Sequence, residues 1–254
     1  MIIAQHILEN GKLSIKMDKT SSEAIIVGGG ASIKPYLATL QPLLATKFTI
    51  LTNYAYKTFP GTFLAFLDRE FYVPDHAKHY IDPKTIRHPD IYEELKSLPL
   101  IVTINDNGIE EFKLDNTILI DKKYRANLTG IFALKLLDLL QFQGTVYLLG
   151  FDWPRRTGLP ERDPNYSPKS DLQIHYYDLK HKGSGYVGYY ENHNPDKDFA
   201  AFIKKETFKI YNVSLESNIN CFEKISYEQF FRQLSNKIES QEELRKEIRQ
   251  LFKK

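Results

Sequence analysis

The first hydrophobic positions of the 254-residue chain fall in two short runs, 2–8 and 12–17, on either side of Glu9-Asn10-Gly11. An Asn-Gly pair between two apolar runs favours a tight turn, because both positions tolerate positive φ. We therefore predict an N-terminal β-hairpin within residues 1–22.

The rest of the chain alternates short buried runs with amphipathic segments. Apolar residues recurring at helical spacing predict a helix over 33–44, and a second helix is predicted over 128–142. Asn194 as N-cap with Pro195 at the first helical position predicts a helix to about Thr207, and capping boxes open two more at Ser226 and Ser240. Short apolar runs predict strands at 24–27, 48–52, 62–67, 100–105, 118–120, 146–149 and 210–213. This order predicts an α/β fold, Rossmann-like, with a mostly parallel sheet and helices on both faces. Its core would cover 23–150, completed by a C-terminal part over 195–254.

Residues 151–194 interrupt this pattern. The segment holds four prolines, four glycines and six tyrosines. A long irregular segment inside a compact domain is typical of a functional lid, and the tyrosines argue against plain disorder. We predict a Tyr-rich lid here.

Composition excludes several classes of protein. The net charge of +2 removes charge as an argument for nucleic-acid binding, and the single cysteine, Cys221, excludes an internal disulfide and a Cys-rich zinc site. No run approaches the ~20 apolar residues of a membrane span. The N-terminus lacks the features of a signal peptide, so we expect a cytoplasmic protein.

The turn Gly28-Gly29-Gly30-Ala31-Ser32 joins the predicted strand at 24–27 to a helix. Glycines let a backbone approach a phosphate, and the following helix N-terminus attracts the anion. Ser32 suits the N-cap of that helix, although Pro35 favours a slightly later start. No Walker lysine follows, and Ile33 stands where a dinucleotide motif has its third glycine. The alternative is a tight turn without a ligand.

Three polar residues follow predicted strands: Asn53, Asp68 and Asp152. Parallel sheets bind ligands beyond the carboxyl ends of their strands, so these residues are candidates for contacts to a base, a ribose or a metal ion. The alternatives are an Asn that bonds its own backbone and carboxylates that cap the next segment.

His193 lies just before the helix that opens at Asn194-Pro195. The helix dipole favours a neutral imidazole there, which suits a general base. The alternatives are an exposed loop histidine, or His175 or His181 as the base. Asp196-Lys197-Asp198 has the acid-x-acid pattern of metal-dependent sugar transferases, but acids are expected in a first helical turn anyway.

Arg125 precedes a predicted helix start at which Thr129 and Gly130 would present a hydroxyl and backbone N–H groups to a substrate. Capping of this helix by Asn127 is the alternative.

In this order, the segments resemble the bacterial sialyltransferase family typified by the Campylobacter lipooligosaccharide enzymes. Its Rossmann-like relatives include the archaeal 6-hydroxymethylpterin pyrophosphokinase-like proteins and many phage proteins. The similarity runs loosely from Ile25 to Phe222. It rests on 25–34 (with Ala31 in place of the family's Pro), Thr52-Asn53-Tyr54, 125–130, Tyr147 to Trp153, 186–202, and Tyr211 to Ser214 with Ser217.

The resemblance implies an enzyme that needs no metal. A CMP- or UDP-linked sugar donor would bind at the glycine turn, Asn53 and Asp152, with Trp153 as the aromatic beside that aspartate. His193 falls within a residue or two of the family's catalytic histidine. Tyr166, Tyr176 and Tyr177 are the candidates to meet the departing phosphate, and of these Tyr176 and Tyr177 are our choice, together with Arg125.

Three hypotheses follow. The first is a glycosyltransferase-like enzyme whose acceptor hydroxyl belongs to a glycan or to a hydroxymethyl group on a modified base. The second is a pyrophosphokinase or phosphotransferase using ATP and Mg²⁺, with Asp68 and Asp152 as metal ligands. The third is a non-catalytic nucleotide-binding module. The C-terminal stripe Leu244, Ile248, Leu251 and Phe252 fits either a homo-oligomer or a helix docked on its own domain.

Overall fold

A computed structural model of the protein describes residues 5–9, 12–16, 22–68, 71, 91–105, 114–153, 194–203 and 208–252. The strands are β1 Gln5–Glu9, β2 Lys12–Lys16, β3 Glu23–Val27, β4 Thr49–Thr52, β5 Phe63–Phe66, β6 Ile101–Ile104, β7 Thr117–Ile120, β8 Gly144–Leu149, β9 Phe208–Asn212 and β10 Glu223–Lys224. The helices are α1 Leu37–Leu44, α2 Ile91–Ser97, α3 Thr129–Leu139, α4 Pro195–Ile203, α5 Tyr227–Gln233 and α6 Gln241–Phe252. Short 3₁₀ helices cover Ala31–Tyr36, Asn53–Lys57 and Lys122–Tyr124.

Eight strands form one sheet in the order β10-β9-β8-β3-β4-β5-β6-β7. Every neighbouring pair in it is parallel. Strands β1 and β2 form a separate, two-stranded antiparallel hairpin in which Glu9 lies opposite Lys12. The predicted Rossmann-like α/β fold is confirmed.

Helices cover both faces of the sheet, as a parallel sheet requires. Alternate residues of β3 show the division: Ala24 and Ile26 pack in one apolar cluster, Ile25 and Val27 in the other. The first cluster takes residues from α3, α4 and α6, and the second takes residues from α1, α2 and α5. Both faces of the central strands are therefore largely apolar, which explains why these strands read as nearly continuous hydrophobic runs.

The chain changes direction in the sheet beside β3. From β3 it adds β4, β5, β6 and β7 in one direction, and α3 then carries it back to β8 on the other side of β3. The connection after β3 crosses the face covered by α1, whereas α4, which precedes β9, lies on the opposite face. A crevice opens where two such connections diverge, and this is where doubly wound sheets bind ligands.

Two elements and one cap differ from the sequence predictions. Helix α2 and the two-residue strand β10 were not predicted, because seven and two residues are too few for a periodic pattern. Ser32 is not an N-cap. It lies inside the 3₁₀ helix that precedes α1, and its backbone N–H donates a hydrogen bond to Asp152 in the loop after β8. The later helix start that Pro35 favoured is the observed one, at Leu37.

Helix α6 is docked on its own domain. Leu244, Ile248 and Leu251 are 2% exposed or less and belong to the main apolar cluster. Arg245 fastens the helix by donating from Nε to the carbonyl oxygen of Thr62, at 2.9 Å, and from Nη2 to that of Gly61, at 2.7 Å. These three residues of the predicted stripe are therefore covered within the chain and give no support to a homo-oligomer. In the ranges given above, no helix has the length and apolarity needed to cross a bilayer.

Candidate functional site

The loops that follow β3 and β8 are hydrogen-bonded to each other at the point where the chain changes direction. Gly28 N–H donates to the carbonyl of Leu149 at 2.7 Å, and Gly30 N–H donates to that of Gly150 at 2.8 Å. The backbone N–H of Ser32 then donates to Oδ2 of Asp152 at 2.7 Å. Asp152 therefore closes the glycine turn with its side chain, which places the two predicted residues in direct contact.

Gly28 and Gly30 are glycines because the loop after β8 lies too close for a side chain. A Cβ on Gly28 would lie 2.7 Å from the carbonyl oxygen of Gly150, and a Cβ on Gly30 would lie 2.5 Å from Oδ2 of Asp152. The backbone of Gly30, with φ −59° and ψ 149°, is open to any residue. These two glycines thus allow the two loops to pack closely, as in the alternative of a tight turn, and neither is explained by the approach of a phosphate.

The N–H groups of Gly28, Gly30 and Ser32 donate hydrogen bonds to the loop after β8, and those of Gly29 and Ala31 lie between them in the sequence. Among the described residues, the N–H groups of Gly29 and Ala31 make no hydrogen bond. Both precede or open the 3₁₀ helix Ala31–Tyr36, whose N-terminus carries a partial positive charge. The capacity of this turn to bind an anion therefore lies with Gly29 and Ala31.

The loop after β8 is held in place by a polar segment that follows β9. The buried side chains of Asn212 and Ser217 both donate to the carbonyl of Phe151, at 3.0 and 2.7 Å. Asn218 continues the pattern: its N–H donates to the carbonyl of Asp152 and its Nδ2 to that of Trp153, both at 2.9 Å. Three successive carbonyls are thus fixed, which orients the Asp152 side chain towards the glycine turn.

Trp153 and Asn53 are two left-handed residues at this edge of the sheet, with φ of 46° and 48°. Trp153 follows β8 and Asn53 follows β4, so they lie on the two sides of the glycine turn. The buried Oδ1 of Asn53 has no hydrogen-bond partner among the described residues. Backbone strain of this kind costs of order 1–3 kcal/mol and is concentrated at functional sites.

Gly130 has a packing role. A Cβ there would lie 2.3 Å from the ring of Phe151, so this glycine lets the loop after β8 rest on the first turn of α3. Thr129 is 9% exposed at the same helix start, and the N-cap is Leu128, without a side-chain cap. The alternative of a cap by Asn127 is therefore not observed. Arg125 is exposed, and its carbonyl accepts a hydrogen bond of 2.7 Å from Lys135 Nζ.

Tyr227 is a residue of this site that the sequence analysis missed. It is the first residue of α5, and it is 5% exposed with its ring stacked on Tyr36 at a centroid distance of 4.0 Å. Burial, the largest effect, raises the pKa of its hydroxyl; the nearby Asp152 charge adds to the rise, and Ser32 and the Gly150 backbone oppose it. The one hint in the sequence is an aromatic residue placed directly after an N-cap.

The acid-x-acid pattern has a structural use. Oδ1 of Asp196 accepts hydrogen bonds from the backbone N–H groups of Asn220, at 2.7 Å, and Cys221, at 3.1 Å. The helix start itself is as predicted, since Asn194 Oδ1 accepts from Asp196 N–H at 3.0 Å. Asp196 therefore ties α4 to the loop before β10.

Asp68 and Asp152 do not form a shared metal site. They follow β5 and β8, which are separated in the sheet by β3 and β4. Three strand spacings amount to about 14 Å, too far for two carboxylates to hold one ion. Within the portion of the chain that the structure describes, no group of three His, Cys, Asp or Glu side chains is arranged for a metal.

The predicted lid lies almost wholly outside the described residues. His193, Tyr176 and Tyr177 fall there, and so do His175, His181 and Tyr166. Their proposed roles remain predictions. The structure shows instead where the two ends of this segment are fixed: Trp153 at the end of the β8 loop, and Asn194 at the start of α4.

Fold and site define a doubly wound parallel α/β protein of Rossmann type. No family model and no curated protein matches the chain. The chain is similar to a solved structure, the MAf glycosyltransferase from Magnetospirillum magneticum AMB-1, with a TM-score of 0.52 and 14% sequence identity. The match covers 98% of this chain but 38% of the other, so the chain spans well under half of that enzyme's length. At this identity the likeness shows the fold. The resemblance to the sialyltransferases stays a prediction.

Proposed function

We propose that this protein is a glycosyltransferase-like enzyme that moves a sugar from a nucleotide-activated donor to an acceptor hydroxyl. The observation that carries the proposal is the glycine turn after β3, closed by Asp152 on one side and with two N–H groups that make no hydrogen bond among the described residues. The fold shared with a glycosyltransferase supports it.

The donor phosphate would lie against Gly29. The Asp152 carboxylate accepts a hydrogen bond from the N–H of Ser32, and its charge repels an anion on that side of the turn. The N–H groups of Gly29 and Ala31, which make no hydrogen bond among the described residues, are left for the phosphate. Gly29 is the better donor of the two, because the resembling family has a proline, and so no N–H, at the position of Ala31. A fixed N–H aimed at the leaving phosphate stabilises the charge that develops as the sugar departs.

Asn53 would contact the base or ribose of the nucleotide. It follows β4, the strand next to β3, and its Oδ1, which has no partner among the described residues, lies on the same edge of the sheet as the glycine turn. His193, as general base, would take the proton of the acceptor hydroxyl, and Tyr176 and Tyr177 would close over the leaving group. A CMP- or UDP-linked donor and transfer without a metal ion are part of the proposal. The alternative that places Mg²⁺ between Asp68 and Asp152 has no geometric support.

The test is a thermal-shift titration with CMP, CDP, UMP, UDP, ADP and ATP, each with and without Mg²⁺. A nucleotide at a hundred times its Kd stabilises the folded state by about 2.7 kcal/mol, which raises Tm by several degrees. We expect a pyrimidine nucleotide to do so without Mg²⁺. The proposal would be overturned if ATP together with Mg²⁺ were the only combination that stabilised the protein, or if none of the six nucleotides did.

Asn53→Gly locates the binding site, because glycine keeps the left-handed backbone and removes only the side-chain amide. The matched control is Gln141→Gly, another left-handed residue (φ 49°), which follows α3 close to the start of β8, at the opposite edge of the sheet. Loss of one hydrogen bond should weaken nucleotide binding roughly three- to tenfold in Asn53→Gly and leave Gln141→Gly as wild type. The emission of Trp153, the single tryptophan, reports binding directly.

A further inference from the structure

Three buried polar atoms without a hydrogen-bond partner among the described residues belong to residues gathered around the glycine turn: Ser32 Oγ, Asp152 Oδ1 and Tyr227 Oη. They come from three distant parts of the chain. Asp152 and Ser32 are already joined through Oδ2 and the backbone N–H, and the hydroxyl of Tyr227 lies close enough to Ser32 and to Gly150 to be affected by both. The mechanism proposed above uses none of these three atoms.

A tyrosine hydroxyl at this place needs a physical reason. The ring of Tyr227 packs between Tyr36 and Phe231, and a phenylalanine ring would make the same contacts. Burying a hydroxyl without a hydrogen bond costs free energy, so the extra oxygen disfavours the fold unless it has a partner. The raised pKa keeps this group protonated at every physiological pH, and it is therefore available as a donor.

The donors and acceptors of the three groups are complementary. The carboxylate oxygen Oδ1 of Asp152 only accepts, the Tyr227 hydroxyl has a proton to donate, and the Ser32 hydroxyl does both. A chain from Tyr227 O–H to Ser32 Oγ, and from Ser32 O–H to Asp152 Oδ1, gives each atom a partner.

We propose that Tyr227 is a positioning residue of the nucleotide site, acting through Ser32 to fix the orientation of the Asp152 carboxylate. This inference rests on the proposed function. With both of its oxygens held, the carboxylate stays on the side of the turn away from Gly29. Without the Tyr227 hydroxyl, the carboxylate is free to turn its charge towards the phosphate, and the nucleotide binds less tightly. Helix α5, held by its capping box at Ser226, thereby becomes part of the site.

Tyr227→Phe tests the proposal, with Tyr36→Phe as the matched control. The two rings stack on each other, but the Tyr36 hydroxyl donates to the exposed carboxylate of Glu228 at 3.1 Å, away from Asp152. We expect Tyr227→Phe to weaken binding of CMP or UDP, followed by Trp153 emission, roughly three- to tenfold, and Tyr36→Phe to leave it unchanged.

Two further measurements separate positioning from simple stabilisation. Amide hydrogen exchange at Ser32 in the free protein should be faster in Tyr227→Phe than in Tyr36→Phe. The reason is that the hydrogen bond from the Ser32 N–H to the Asp152 carboxylate breaks more often in Tyr227→Phe. Ser32→Ala should weaken binding to a similar extent, and adding it to Tyr227→Phe should cause no further loss, since both act through one chain of hydrogen bonds.

The outcomes distinguish the two proposals. If wild-type protein binds neither CMP nor UDP, the proposed function fails, and exchange at Ser32 still tests the hydrogen-bond chain. If the wild type binds, but Tyr227→Phe binds equally well and exchanges equally slowly at Ser32, the inference fails and the proposed function stands. A change in Tm alone, or additive losses in the double variant, would also overturn it.

Discussion

Oδ2 of Asp152 accepts a hydrogen bond of 2.7 Å from the backbone N–H of Ser32, and so joins the loops that follow the neighbouring strands β8 and β3. The bond joins residues 120 positions apart in the chain. It also puts a negative charge at the start of a 3₁₀ helix, where a helix N-terminus stabilises an anion. The glycine turn is therefore already occupied on one side by the protein's own carboxylate.

Removing this carboxylate should destabilise the fold. A hydrogen bond to a charged group contributes about 1.5–3 kcal/mol, so Asp152→Ala should lower the free energy of unfolding by that amount. Asp152→Asn keeps an acceptor oxygen and should cost less. Urea denaturation measures both, with the exposed Asp115→Asn as a control that should match the wild type. Equal stabilities of Asp152→Ala and wild type would show that the bond contributes nothing.

Proline substitutions at two adjacent positions should have opposite effects. The N–H of Ala31 makes no hydrogen bond among the described residues, and Gly30 already has the extended backbone that precedes a proline. Ala31→Pro should therefore raise stability by about 0.4–1 kcal/mol, through the entropy of the unfolded chain. It should also leave nucleotide binding unchanged if Gly29 holds the phosphate.

Ser32→Pro is the counterpart. It removes the N–H that donates a hydrogen bond to the Asp152 carboxylate, and it places a proline directly after a helical residue. We expect a loss of at least 1–3 kcal/mol in the free energy of unfolding. Thermal denaturation of the two variants side by side is the measurement. A destabilised Ala31→Pro would mean that its N–H has a partner in solution.

Gly130 and Phe151 should be energetically coupled. A Cβ at position 130 would lie 2.3 Å from the Phe151 ring, so Gly130→Ala forces the ring and its loop to move, typically at a cost of 1–3 kcal/mol. Phe151→Leu replaces the ring by a smaller side chain and should therefore relieve much of this cost in the double variant. A double-mutant cycle by urea denaturation gives the coupling, and additive losses would contradict the contact.

The hydroxyl of Ser217 should matter more than an ordinary surface hydroxyl. It is buried, donates to the Phe151 carbonyl at 2.7 Å and accepts from Asn212 at 2.8 Å. Ser217→Ala should cost about 1–3 kcal/mol and shift the emission of Trp153, because the loop after β8 loosens. Ser97→Ala removes an exposed hydroxyl bonded to a helix carbonyl, and should stay within about 0.5 kcal/mol of wild type.

The stability of the protein should fall in alkaline solution. Burial, with the nearby Asp196 carboxylate, raises the pKa of the Cys221 thiol from 9.0 to about 12. Between these values the unfolded chain releases a proton that the folded chain keeps, so the free energy of unfolding declines as pH rises above 9. Urea midpoints at several pH values should fall less steeply for Cys221→Ala. Identical slopes would show that the thiol does not contribute.

The elements that could be predicted are those set by neighbouring residues. The hairpin at Asn10-Gly11, the helix start at Asn194-Pro195 and the capping box at Ser226 each depend on side chains within a few positions of one another, and all three elements are present. Alternation of buried runs with amphipathic helices was likewise enough to predict a parallel sheet covered on both faces. Helix α2 was missed because a single pair of buried residues, Ile91 and Leu95, is too few to reveal a helical repeat.

The site could be predicted only as a set of separate candidates. Gly28 to Ser32, Asn53 and Asp152 stand out in the sequence because strand ends bind ligands, with a tight turn, a backbone-bonded Asn and a capping carboxylate as the alternatives. The structure shows that Gly28, Gly30, Ser32 and Asp152 first bind each other. Tyr227 was missed because nothing near it in the sequence indicates that α5 packs beside β3 and β8.

Residues close together in the sequence set the local folding of this chain: which segments become strands, which become helices and where several of them begin. The packing of the whole domain is what returns β8 to the side of β3, which brings Asp152 to the glycine turn, where Tyr227 also lies. Local structure depends on propensities and caps within a few residues. A site at a strand crossover depends instead on contacts between residues more than a hundred positions apart, whose pairing is settled by how the sheet and its two helical layers pack.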